Sequence, residues 1–236
     1  MVGVMTPDTT YLARPDLVPA CHLRRAGQWD AALGALPDSA DETAAALRAE
    51  ILVERHTWRL DPPAEAVAAA RALPESALAT LLLAQLEYWR QGFKLDGAPA
   101  IADPVAAFAD AASDPALAGW ATFHHAISTL NLRDDPVTAG EGFARALELA
   151  VGEPFLESYV VRHLGDQEIN RFGRREAGIA LLRRSFHLRA ALGARPQTAA
   201  AAAILAGELP AGPEADELRA LSHGVAVELG IPWLQG

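Results

Sequence analysis

Lysine and cysteine are nearly missing from this 236-residue chain. Cys21 is the only cysteine, which excludes an internal disulfide and makes the cytoplasm the expected location. Lys94 is the only lysine, and apart from histidine every other basic residue is Arg. That bias fits a GC-rich genome better than an Arg-specific chemistry. Aromatics make up 6% of the residues. Val and Ile are sparse and rarely alternate over a strand's length, so almost no sheet is expected. The apolar run Leu81 to Leu86 is far too short to span a bilayer. The opening MVGVMTPDTTYLARPD lacks a basic start followed by an apolar core, so no signal peptide is expected. A glycine-rich phosphate loop after a strand is missing, as are CxxC, HExxH and GxSxG. The sequence therefore assigns no catalytic residue, no cofactor and no metal. A net charge of -10 argues against nucleic acid as a partner, which would need a basic face.

Small apolar residues are abundant instead. Half of the chain, 51%, is hydrophobic, and much of that is Ala, the best helix former and small enough to let helices approach closely. The clearest stretch runs from Ser158 to Gly193. Val160, Val161, Leu164 and Ile169 fall at helical spacing, and Gly173 lets the chain reverse. Ala177, Ile179, Leu181, Leu182, Phe186 and Leu188 resume the period, and Arg189 followed by Gly193 ends it. One such hairpin cannot bury its apolar stripe alone, so it needs neighbours.

Residues 1–10 read as a flexible tail, and 11–236 as a single helical domain. Gly27 stops a first helix, Trp29 opens a second, and Asp41 caps a longer one through Trp58. The helix from Ala77 to Arg90 is apolar nearly all round and reads as the most buried of the chain. Gln91 to Asp103 is the longest expected loop. Asp61-Pro62, Asp103-Pro104, Asp114-Pro115 and Asp135-Pro136 each look like a helix start. The Asp accepts from first-turn amides, and Pro loses no donor there. Pro196 to Leu205 and Pro213 to Leu229 form a last pair, and the end around Trp233 reads as an apolar hook.

Second helices align on Ala32, Ala66, Pro104, Ala139, Gly178 and Ala215. Their intervals of roughly 34 to 39 residues match the period of paired-helix solenoids. The segment from Gly27 through Trp29 and Ala32 to Leu33 resembles the turn and second helix of a tetratricopeptide repeat. Ala139, Phe143, Ala146 and Leu147 resemble that helix's small and large alternation. Leu164-Gly165, Gly173, Gly178 and Leu182 resemble a full repeat with one extra residue before the turn. The resemblance covers about two thirds of the chain and implies an all-α fold, a right-handed α-solenoid of about six antiparallel helix pairs. The Gln91 to Asp103 loop departs from the family's spacing.

The resemblance also implies that first helices line a concave groove. Position by position, that puts Arg55, Trp58 and Arg59 there, then Trp89 and Arg90, then His124, Ser128 and Asn131, then Tyr159, Arg162 and Asp166. Arg and aromatic side chains are what protein-binding hot spots favour, and the Arg fork suits carboxylate or phosphate. The competing reading makes Trp58 and Trp89 core, with the arginines paired to acids such as Glu54, Glu87 and Asp166. His124 and His125 point about 100° apart on a helix, so they do not readily share a metal. Cys21 and His22 diverge likewise. The first expectation is therefore a cytoplasmic scaffold without catalysis, binding a protein or peptide partner in the groove. The alternative is a binder of an anionic small molecule, or an atypical enzyme, with a pocket around His124, Arg162 and Asp166. A homodimer joined through the Trp233 hook is a weaker third reading; no membrane partner is expected.

Overall fold

The computed structural model describes residues 9–37 and 41–235, and the expected tail is outside them except for Thr9 and Thr10. Among the described residues the chain is helical, with no strand. It divides into two compact units. The first holds α1 (Thr9–Leu12), α2 (Val18–Arg25, to Arg24), α3 (Trp29–Gly34), α4 (Glu42–Arg59), α5 (Ala64–Ala72), α6 (Ala77–Phe93), α7 (Pro104–Ala111), α8 (Ala118–Arg133) and α9 (Pro136–Leu149). The second holds residues 25–27, then α10 (Pro154–Asn170), α11 (Arg175–Ala191), α12 (Arg195–Glu208), α13 (Pro213–Leu229) and a closing 3-10 turn, Pro232–Leu234.

Helix starts follow from side chains that satisfy orphan amides. Asp41 accepts from Thr43 and Ala44 N–H, Ser76 from Ala79 N–H, and Asp103 from Val105 and Ala106 N–H. Asp135 accepts from Val137 and Thr138 N–H. The other two Asp-Pro pairs correct the sequence reading. Asp114 accepts from Ala116 N–H in a turn, and α8 begins only at Ala118. Asp61 does not cap α5, which starts after Pro63. Its carbonyl takes the His56 Nδ1–H instead, and its carboxylate lies 3.6 Å from Arg55 Nε.

In the first unit each helix from α3 to α9 packs on the next, and α4, α6 and α8 also pack on one another in a row. The most buried helix is α4, not α6 as its sequence suggested. The reason is chemical: α4 buries Glu50 and Glu54 along with its apolar stripe, because Arg24 of α2 is buried against them. Arg24 Nη1 lies 2.7 Å from Glu50, Nε lies 2.5 Å from Glu54, and the Tyr11 hydroxyl donates to Glu50 at 2.6 Å. A carboxylate run that reads as polar is thus core once its cation is supplied.

In the second unit α10 packs on α11, α11 on α12 and α12 on α13. Leu182, Ala202, Leu205, Ala206 and Leu218 form a core flanked by Ile169, Ile179 and Phe186. The terminal hook is present: Ile231 is buried and its N–H reaches the Ala226 carbonyl at 2.8 Å. Adjacent helices packed in pairs are compatible with a helical repeat.

Candidate functional site

The side chains named for a groove fall into three physical environments. Trp58, Trp89, His124, Ser128 and Tyr159 are buried. Arg55, Arg59, Arg90, Arg162 and Asp166 are half-buried, and Asn131 is exposed. Trp58 and Trp89 therefore pack inside their unit, as the competing reading had it, and Tyr159, His124 and Ser128 are buried too, while the arginines, Asp166 and Asn131 reach solvent.

In the first unit the half-buried arginines are held by carboxylates. Arg55 donates to Asp30 at 2.9 Å and Glu65 at 2.6 Å. Arg59 reaches Asp30 at 2.7 Å and lies over the buried Trp29 ring, 5.1 Å from its centroid. Arg90 grips Glu87 with two hydrogen bonds, 2.6 and 3.0 Å. Burial alone would raise the Glu87 carboxyl, but donors from Arg90, Gln91 and the Ala100 N–H outweigh it and hold it low. That Ala100 contact, at 3.0 Å, ties the loop after α6 to the helix. Lys94 helps turn the chain there with a φ of 54°. Beneath the loop lies a cleft of about 50 Å³, lined by His56, Pro63, Val67, Leu86, Glu87 and Arg90. This is room for a few waters.

His124 sits in an apolar box, stacked 5.2 Å from Phe108, with Trp120 and Phe123 around it. Gln85 Nε2 lies 2.9 Å from its Nε2, and its Nδ1 has no hydrogen-bond partner. Burial holds the imidazole neutral and pushes its pKa down to about 3. His125 is only half-buried, so the two rings diverge as expected. Cys21 is buried while His22 is exposed, which leaves no nucleophile and base pair there. Asn131 donates to the Tyr88 hydroxyl at 2.6 Å, joining α8 to α6.

In the second unit, Tyr159, Arg162 and Asp166 stand at successive turns of α10. Arg162 contacts His163 Nδ1 at 2.7 Å, and Asp166 accepts from Asn170 at 2.9 Å. The sequence reading missed Arg189 of α11, which it treated as an ordinary helix end. Its guanidinium is buried, 4.4 Å over the Tyr159 ring. Nε lies 3.4 Å from Ser158 Oγ, and Nη1 donates to the Gln197 carbonyl at 3.1 Å. Its only sequence signal was the i, i+4 register that puts Arg189 on the same stripe as the buried Ser185.

No known protein family, curated protein or solved structure matches the chain. Among the described residues no helix is long and apolar enough to cross a membrane, and no three His, Cys, Asp or Glu side chains are grouped to hold a metal ion. The class these features define is an all-helical protein of adjacent packed pairs.

Proposed function

We propose that the chain is a tetratricopeptide-like scaffold of the cytoplasm, a right-handed solenoid of antiparallel pairs that binds a peptide or protein partner and performs no chemistry on it. The observation that carries this reading is the row of α4, α6 and α8 in the first unit. Each helix of the row presents polar side chains at half-buried or exposed positions: Arg55 and Arg59, then Arg90, then Asn131. On the same three helices Trp58, Trp89 and His124 are locked in the core. A rigid base with a polar rim, its arginines held in place by Asp30, Glu65 and Glu87, is how binding surfaces keep their geometry.

Selection from a random peptide library, followed by affinity measurements, tests the reading. Selected peptides should lose at least about tenfold in affinity to Arg59→Glu and Asn131→Ala. They should bind the Arg145→Glu variant, altered on α9, as they bind the original chain. Peptides that ignore Arg59 and Asn131, or a library that yields none, would remove this reading.

A further inference from the structure

The second unit contains ten arginines and ten acidic residues, so the chain's net charge of -10 belongs entirely to the first. Six of the second unit's arginines hold a carboxylate near the surface: Arg174 on Glu168, Arg175 on Glu208, Arg183 on Glu214, Arg184 on Glu157, Arg195 on Glu228 and Arg219 on Asp216. Exposed pairs of this kind contribute little, because water already solvates both partners.

Arg189 inverts that pattern. It is only 3% exposed, and among the described residues no carboxylate pairs with it. Its polar partners are the Ser158 hydroxyl and the Gln197 carbonyl, both neutral, and a ring face. Nη2 donates to nothing among the described residues. Half-buried Arg162, one turn beyond Tyr159 on α10, adds a second positive field. Burial first, and then Arg162, pull the Arg189 pKa down to about 10, so it still carries its charge at neutral pH. A buried cation with neutral partners is costly, and a counter-charge relieves that cost.

We propose that the junction of α10, α11 and α12 is a binding site for a monocarboxylate with an apolar body, its carboxylate clasped by Arg189 with Arg162 alongside. Nη2, which Ser158 and Gln197 leave unused, can donate to a carboxylate oxygen in the guanidinium plane. Arg189 is buried while Arg162 reaches solvent, so at depth a single negative charge balances the site, as a carboxylate supplies. The Tyr159 ring under the guanidinium packs edge to face on Phe155 at 5.3 Å, so the surroundings of Arg189 are aromatic. The site is independent of the peptide-binding row, which lies in the other unit.

The test uses the full chain and 4-fluorobenzoate, followed by its fluorine NMR signal. Broadening should saturate with added protein, be competed by acetate, and resist the same ionic strength of sodium chloride. Arg189→Lys should weaken binding about thirtyfold or more. Arg183→Lys, altered on a surface pair, should bind as the original chain does. If Arg189→Lys melts early, the Arg189 Nε–H resonance of the original chain is the second readout, and it should move on titration. A peptide ending in Phe, compared with its amidated form, separates a chain terminus from a free acid as the source. Equal binding by the Arg189→Lys and Arg183→Lys variants, or an unmoved Nε–H signal at millimolar 4-fluorobenzoate, would overturn the proposal.

Discussion

Gly165 of α10 and Gly178 of α11 meet backbone to backbone. A Cβ added at Gly178 would lie 2.6 Å from the Gly165 carbonyl oxygen and against Ile169, and one added at Gly165 would lie 2.9 Å from the Gly178 carbonyl. In the first unit Gly142 of α9 makes a similar approach, where a Cβ would fall 2.7 Å from the Ala126 Cβ on α8. Small residues at both crossings let adjacent helices approach this closely.

Gly178→Ala should therefore destabilise by about 1–3 kcal/mol, because a carbonyl cannot rotate away as a side chain can. Gly207→Ala, in α12 with nothing within 4 Å of the new Cβ, should stabilise by about 0.5–1 kcal/mol. Urea midpoints of the two variants check the pair. Similar shifts of one sign would show that the crossing is not tight.

Buried charge predicts an asymmetric result in the first unit. Arg24→Met strands Glu50 and Glu54 inside and should cost about 3–5 kcal/mol. Replacing Arg24, Glu50 and Glu54 together with apolar residues should recover much of that loss. Denaturant unfolding of the single and triple variants decides it. A triple variant weaker than the single one would mean that the three ions stabilise beyond their mutual pairing.

His124 gives the sign of an acid effect. Its folded pKa, about 3, lies below the ordinary 6.5. The unfolded chain therefore takes up a proton first as pH falls through 6.5, and stability is lost from there down toward pH 3. Between pH 7 and pH 5 this group alone should cost about 2 kcal/mol. His56, also lowered by burial, acts in the same direction. Gln85, Phe108, Trp120 and Phe123 face His124, and none carries charge. His124→Gln should lose correspondingly less stability over that interval, measured by urea titration at both pH values. An identical loss would put a proton on the folded ring.

Glu87 should govern the order of the loop after α6. Glu87→Gln removes the ion pair with Arg90 and weakens the acceptor for Ala100 N–H. Limited proteolysis between residues 94 and 103 should speed up while the global melting point changes little. Unchanged cleavage would show that the loop is held by other contacts.

The helices were legible in the sequence because Ala-rich periodicity and Pro punctuation act locally. Asp103 and Asp135 cap as their Asp-Pro pairs suggested, but Asp61 and Asp114 do not. At Asp61, the buried His56 takes the carbonyl and Arg55 draws the carboxylate. Those competitors come from the preceding helix, beyond what the Asp-Pro pair itself specifies. The candidate site was less legible, since a sequence gives the face of a residue but not its depth. Trp58 and Trp89 are core, and Arg189, whose place in the last turn of α11 reads as an ordinary helix end, lies deepest among the second unit's charged groups. Burial of a charge depends on partners 26 and 30 residues away, as Arg24 with Glu50 and Glu54 shows.

The row of α4, α6 and α8 as the seat of a bound peptide is the central claim, and the chain's five tryptophans report on it. With 5-fluorotryptophan in place of tryptophan, a library-selected peptide should shift the fluorine resonances of Trp58 on α4 and Trp89 on α6, and leave Trp233 near the C-terminus unmoved. A shift confined to Trp233, or five unmoved resonances at saturating peptide, would contradict it.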